Sequence, residues 1–323
     1  MKRKNENQPE ADIGFSVNPE MRPIYDRLSE EEKAPLLGLT CQLGGTSSNV
    51  AHALANMGIK TKLYALTGYN DDFNTHCFRY ALKHSPENII PIDFNILEQG
   101  HMGLIPYDGI KKTSQVFGYK GLIQPAKIPT CLEIIKKRKG KRIWKVATGV
   151  RPPEIELVKA LFDGNKGFRY LNPRVDLIKE KEIFFDILKE TDVLVLNQIE
   201  YDSCVNYQEL NSMADIQQKF GVSLVIVTKD KDGGKFSLSN KIASVRGKFE
   251  AYSDYIKVGE EIFPTGTGDW FGGSFLSVII KLKKSIYEVT ETEINEAINF
   301  ARKVAGKKIT MMGAGNGPRK SDL

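Results

Sequence analysis

Residues 263–280 read FPTGTGDWFGGSFLSVII. Pro264 and two spaced glycines, Gly266 and Gly268, make a tight turn, and the apolar positions after it fit a buried helix beginning near Thr267. Such a turn delivers the backbone N–H groups of Gly266, Thr267 and Gly268 at a helix N-terminus, where unpaired donors and the helix dipole attract anions. Asp269 stands in the same turn. A carboxylate repels an anion that is merely held there. It has a use if it takes a proton from an attacking hydroxyl while the turn steadies a phosphoryl group. Gly272 and Gly273 let another backbone or a substrate approach closely. The same residues also suit an ordinary helix N-terminus with Asp269 favourably placed in its first turn.

Outward from this stretch the chain alternates strand and helix periods. IWKVA, FRYLN, DVLVLN and LVIVT are short apolar runs of the kind that fill a sheet covered on both faces. Helical text over 153–162, 175–190 and 207–220 separates them. Toward the N-terminus, 46–58 reads as a helix, KLYAL as a strand and 71–84 as a helix. This order predicts an α/β fold with a mostly parallel central sheet and right-handed crossovers, with ligands beyond the C-terminal strand ends. The region from Ile92 to Leu122 differs, because its β-like pieces IDFNIL and TSQVFGYKG are joined by Gly- and Pro-containing turns without a helix. With residues 13–18 and 38–43, the segment 92–122 is expected to form a small antiparallel β lid over a site. Residues 1–10 and 319–323 read as tails, which leaves 11–318 as the domain.

Composition narrows the function classes. The chain has 323 residues, long enough for a sizeable core, and 41% hydrophobic with 27% charged residues rules out collagen-like and wholly disordered readings. No apolar run reaches the ~20 residues of a membrane helix, and MKRKNENQPE lacks the apolar stretch of a signal peptide, so a cytoplasmic protein with no membrane partner is expected. Cys41, Cys77, Cys131 and Cys204 lie far apart and are expected to be free thiols. Part of the net charge of +6 sits in the run from Lys136 to Arg142. It closes a helix that begins near Ile128 and reads as a solvated helix end; without interleaved aromatics, nucleic acid is an unlikely partner. No G-x-G-x-x-G follows the first strand and no G-x-x-x-x-G-K-[ST] occurs, which argues against a dinucleotide oxidoreductase and a P-loop kinase. His52, His76, His84 and His101 are scattered, so a metal hydrolase fits poorly.

The 263–280 stretch resembles the C-terminal signature of the ribokinase-like (PfkB) carbohydrate kinase family, D-T-x-G-A-G-D-x-F-x-x-G. Thr265, Gly266, Thr267, Gly268, Asp269 and Phe271 keep most of it. The family's aspartate base then falls on Asp269 and its anion hole on Gly266, Thr267 and Gly268. A second match lies earlier, in LGGTSSNVAHALANMGIKTKLYALTGYNDDF, where Gly44, Gly45, Asn49, Leu54, Ala55, Gly58, Gly68 and Asp72 occupy the positions of the N-terminal signature. The resemblance implies that Gly44, Gly45 and Asn49 hold the acceptor. A plain loop, and a capping or buried amide at Asn49, are the alternatives.

Three further segments follow in the family's order, so that the resemblance spans residues 12–318. DVLVLNQIE, with Asn197 and Glu200, resembles the N-x-x-E motif that organises magnesium and phosphates through bound water, and few protein oxygens suit Mg²⁺, which keeps most of its waters. VTKDKDGG resembles the nucleotide-side turn and keeps Thr228 and Gly233. AINFARKVAGKKITMMGAGNGP resembles the C-terminal helix and the loop with Gly313 that flank the base. A solvated helix residue at Glu200, a strand-end hydroxyl at Thr228 and a flexible tail at Gly313 are the alternatives. GFSVNPEM can be laid on the opening strand, which makes Asn18 and Glu20 acceptor contacts; a β-edge with a Pro19 turn serves equally well.

The resemblance therefore implies a three-layer α/β/α sandwich that uses ATP and Mg²⁺ to phosphorylate a hydroxyl of a small sugar, sugar acid or nucleoside, with a homodimer through the lid as a possible assembly. The alternative is a catalytically silent module of the same fold that binds a ligand or assembles with partners. Several positions depart from the pattern. Phe263 and Pro264 replace Asp and Thr, and that acid helps relatives bind an activating monovalent cation, so a potassium requirement is in doubt. Trp270 must pack in the core or narrow the site. Asp230 stands where a Gly is usual, and Arg302 where many relatives have Asn. Thr46 fills a slot that holds Lys in several relatives, which disfavours a phosphorylated acceptor.

Overall fold

The computed structural model describes residues 45–68, 75, 79, 86–98, 102–104, 107–108, 113–114, 117–119, 121–137, 144–163, 168–257, 262–311 and 313–323. The expected strands at 13–18 and 38–43, most of the helix at 71–84, and Asn18, Glu20, Gly44, Cys41 and Cys77 lie outside these residues. Cys131 and Cys204 are buried free thiols.

Among the described residues the first elements are α1 (Thr46–Asn56) and β1 (Thr61–Ala65), followed by β2 (Ile89–Asp93). β1 and β2 pair in parallel, Thr61 opposite Ile89 and Ala65 opposite Asp93. The first residues of the IDFNIL piece therefore belong to a parallel pair and not to the antiparallel lid expected of them. Ile92 shares a core with Phe94, Ile96 and Leu97, which buries this segment. β3 (Met102–Leu104), β4 (Tyr107–Asp108), β5 (Thr113–Ser114) and β6 (Phe117–Tyr119) follow, with antiparallel pairing of β3 with β6 and of β4 with β5. Among the described residues antiparallel pairing begins at Leu97, at the end of the IDFNIL piece, which bridges Ile123.

The main sheet alternates strand and helix as expected: α2 (Ile128–Lys137), β7 (Lys145–Val150), α3 (Ile155–Phe162), β8 (Arg169–Pro173), α4 (Val175–Lys179), α5 (Lys181–Lys189), β9 (Val193–Asn197), α6 (Gln198–Gln208), α7 (Met213–Phe220) and β10 (Leu224–Thr228). β7, β8, β9 and β10 are parallel neighbours. Two antiparallel strands, β11 (Gly234–Ser239) and β12 (Ser244–Phe249), extend the sheet to the order β12-β11-β10-β9-β8-β7. The expected helix at 175–190 is two, broken at Glu180, whose ψ of 81° leaves the helical region. The helix read at 207–220 begins at 213. Glu209 ends α6 in a left-handed conformation, and the Ser212 hydroxyl starts α7 by accepting the Asp215 N–H.

The alternation of side chains along each strand fixes the three layers. Val193 and Val195 of β9 and Leu224 and Ile226 of β10 face a core with Val50, Leu54, Phe275, Ile279 and Ile298. Leu194, Leu196, Val225 and Val227 face the opposite core with Ile155, Phe162, Phe184, Cys204 and Ile216. The first core lies under α1, α8 (Thr267–Lys281) and α9 (Glu291–Lys308). α1 and α8 meet closely at Gly273, where a Cβ would stand 2.6 Å from that of Ala53 and 2.9 Å from the Val50 carbonyl oxygen. Asn49 lies beside Val50 and Asp269 one turn before Gly273, so this contact brings the starts of the two helices together. The C-terminal segment is docked: Pro318 is buried and Asn56 Nδ2 donates to the Gly317 carbonyl at 3.1 Å, whereas residues 319–323 are exposed. Among the described residues no helix is long and apolar enough to cross a membrane.

Candidate active site

Asn49 and Asp269 are 220 positions apart in sequence, and Asn49 Nδ2 donates to Asp269 Oδ2 at 2.7 Å. Each sits in the first turn of its helix. α1 begins at Gly45, whose φ of 87° only glycine adopts easily, and Ser47 Oγ ties the same turn to the end of β7 through the Thr148 carbonyl at 3.0 Å. α8 begins at Gly266, with φ 83° and a Cβ position 2.6 Å from the Ala314 carbonyl oxygen. Any side chain there would displace the Ala314 backbone. Gly313, with φ 89°, precedes that contact, so the C-terminal loop lies against the 266–269 turn. The Thr267 N–H closes the turn on the Pro264 carbonyl at 3.1 Å, and Gly268 is exposed with open space on its Cβ side.

Two buried polar atoms in this centre have no hydrogen-bond partner among the described residues: Asn49 Oδ1 and Thr267 Oγ1. An unpaired buried acceptor or hydroxyl costs free energy unless a ligand or water fills it. Trp270 takes the core alternative. Its ring is fully buried with Ala53, Met57 and Val304, and its Nε1–H donates to the Ala314 carbonyl at 3.1 Å.

Electrostatics set Asp269 apart from an ordinary first-turn acid. Asp269 is partly exposed as a residue, although dense protein surrounds its carboxyl. Burial pushes its carboxyl up to about 7, against the Asn49 hydrogen bond and the positive charge of Lys308. Glu200 is also pushed up to about 7, chiefly by burial, with the Asn197 N–H bond opposing and the Asp269 charge adding to the rise. Tyr170, buried on β8, feels both carboxylates, and burial together with their charges lifts its hydroxyl well above the usual tyrosine range. Its oxygen lies 2.5 Å from where a Gly272 Cβ would be, so Gly272 makes room for this ring.

The remaining expected residues divide. Thr228 and Asn197 are register partners at the C-terminal ends of adjacent parallel strands, which places both on the ligand edge of the sheet. Asn197 Oδ1 accepts the Glu200 N–H at 2.9 Å and Glu200 Oε2 accepts the Asn197 N–H at 2.8 Å, a reciprocal cap of α6. Gly233 has a packing reason of its own, because a Cβ would lie 2.0 Å from the Phe249 carbonyl oxygen. Asp230 is exposed at a φ of 45°. Among the described residues no group of three His, Cys, Asp or Glu side chains is placed to hold a metal ion.

Sequence reasoning missed Tyr170 and Lys308. Tyr170 carries no signal within its strand. Lys308 does, since with Ala297, Ala301 and Val304 it falls at the three- and four-residue spacing of the buried face of α9.

No family model matches the chain. It is 26% identical to the nucleoside kinase of Methanocaldococcus jannaschii over 240 residues, 74% of this chain and 72% of that protein. Ribokinase of Giardia lamblia has the same fold, with a TM-score of 0.63 at 18% identity, covering 88% of this chain and 90% of that one. So has Burkholderia thailandensis nucleoside kinase in complex with inosine, with a TM-score of 0.60 at 17% identity over 86% of this chain and 85% of that one. The chain has the ribokinase-like fold.

Proposed function

We propose that this ribokinase-like protein transfers the γ-phosphoryl group of ATP to a hydroxyl of a small sugar, sugar acid or nucleoside. Nucleosides head the acceptors to test, because the nucleoside kinase of M. jannaschii matches this chain in sequence over most of its length. The hydrogen bond between Asn49 and Asp269 carries the reading, for it joins the acceptor-holding segment to the candidate base. Asn49 Nδ2 orients the carboxylate, and Asn49 Oδ1 is left to accept a hydrogen bond from the acceptor. Asp269, with a carboxyl near 7, is ionised often enough at neutral pH to take the hydroxyl proton and basic enough to use it. The Thr267 N–H is taken up by the Pro264 carbonyl, so the backbone donors of Gly266 and Gly268 and the Thr267 hydroxyl would face the charge on the transferring group.

In this reading Thr228, Gly233 and Gly313 flank the nucleotide. Glu200 is buried beside Asn197 at the ligand edge of the sheet, and few protein oxygens suit Mg²⁺. Glu200 would hold Mg²⁺ through water, and the ion would neutralise phosphate charge. A silent module of the same fold has no use for a base raised toward neutrality beside a glycine turn.

The test is phosphoryl transfer from ATP across a panel of nucleosides, sugars and sugar acids, wild type against Asp269→Asn. Loss of a general base lowers the rate by about 10²- to 10⁴-fold with little change in nucleotide affinity. A wild type as inert as the variant, yet still binding ATP, would hand the case to the binding module.

A further inference from the structure

Lysine is rarely buried completely unless its charge is matched, yet Lys308 has no exposed surface. It lies in the last turn of α9, and its Nζ donates to the Met311 carbonyl at 3.0 Å. Among the described residues, the ionisable group whose field reaches it is Asp269, and the attraction acts on both partners. Two backbone contacts tie this region to the glycine turn. The Phe263 N–H donates to the carbonyl of Ile309, the residue after Lys308, at 2.6 Å. Ala314, three residues beyond Met311, presses on Gly266 and accepts the Trp270 indole. The ammonium is therefore enclosed by protein where the end of α9 braces the start of α8.

A base must be ionised to accept a proton, and burial works against the ion. An arriving phosphate worsens the balance, because like charges repel. A cation fixed in the same enclosure offsets both effects. We propose that Lys308 is a built-in cation that keeps Asp269 ionised and holds the 263–266 turn against the 311–314 loop while a terminal phosphate is bound. The assignment rests on the kinase reading for its purpose, though not for its electrostatics. Lys308 acts through Asp269 and the turn, which makes it a positioning residue.

The experiment combines Lys308→Met, which keeps the apolar stem without the charge, with Lys308→Ala, which opens space for a small cation. In Lys308→Met, kcat should fall by about 10- to 100-fold, less than the loss of Asp269 itself, with KM for the acceptor little changed. Methylammonium or potassium should restore part of the rate of Lys308→Ala and leave the wild type unaffected. The wild type should work as fast in tetramethylammonium as in potassium buffer. A tenfold or greater activation of the wild type by potassium would overturn the proposal, whether or not the variants fold. A second readout needs no turnover: carboxyl NMR of ¹³C-labelled Asp269, without substrates, should show its titration moved to higher pH in Lys308→Met. An unmoved titration in a folded variant refutes the Lys308 assignment. A moved titration in a protein that transfers no phosphoryl group refutes the kinase reading alone.

Discussion

Helices α6 and α8 each carry an acid in the first turn, and burial pushes both carboxyls up to about 7. What each carboxylate is attached to separates them. Glu200 Oε2 caps its own helix by accepting the Asn197 N–H, and Asn197 returns the bond. Asp269 caps nothing. The α8 cap is Gly266, which offers no side chain, and Asp269 is held by Asn49 from another helix. The cap accounts for how Glu200 is held, whereas an acid oriented from 220 residues away, beside an unpaired amide oxygen, is arranged for something outside the chain.

The sharpest way to break this comparison is to neutralise each acid in turn. Asp269→Asn should cost about 10²- to 10⁴-fold in turnover. The wild-type rate should climb with pH through about 7, since the base works only when ionised, and this limb should be absent from the residual activity of the variant. Glu200→Gln should cost much less in rate and should gain stability. Below about 4.5 Glu200 is protonated in both folded and unfolded chains. Between about 4.5 and 7 the unfolded chain ionises while the folded one holds its proton, so stability from this group is lost as pH rises through that window. Above 7 the full penalty remains. A glutamine can still accept the Asn197 N–H and escapes the penalty. Its advantage in denaturant unfolding should be near zero at pH 4 and reach on the order of 2–3 kcal/mol at pH 8. A constant advantage across pH would mean that burial of the charge is not its source.

The two helix starts also show what the sequence makes legible. The sheet strands β7 to β10 were readable because each is a short apolar run covered on both faces. The glycine turn at 266–268 was readable because conformation demands glycine. Breaks at Glu180 and Glu209 were not, because neither residue is a usual helix breaker. β11 and β12 are hidden behind the resemblance of 228–234 to a nucleotide turn, and part of that signal is packing: Gly233 is needed where the chain passes Phe249. In the site, Asn49 and Asp269 could each be singled out, but no periodicity states that two first turns meet. That follows from the close crossing at Gly273. Lys308 stands on the core register of α9, where its charged residue type masks the pattern.

The smallest effect tests whether Asn197 does more than cap α6. Asn197→Ala removes the acceptor for the Glu200 N–H and should cost about 1 kcal/mol of stability. Asn197→Ser keeps a capping oxygen and should unfold within a few tenths of a kcal/mol of the wild type. The serine lacks the amide N–H₂, and Asn197 is exposed at a strand end in register with Thr228, on the edge assigned to the nucleotide. If that amide meets phosphate, KM for ATP should rise several-fold in both variants while only the alanine loses stability, since a single lost hydrogen bond is worth about 1 kcal/mol. If KM for ATP follows stability, rising in the alanine variant alone, Asn197 serves the helix and reaches the nucleotide only by keeping Glu200 in place.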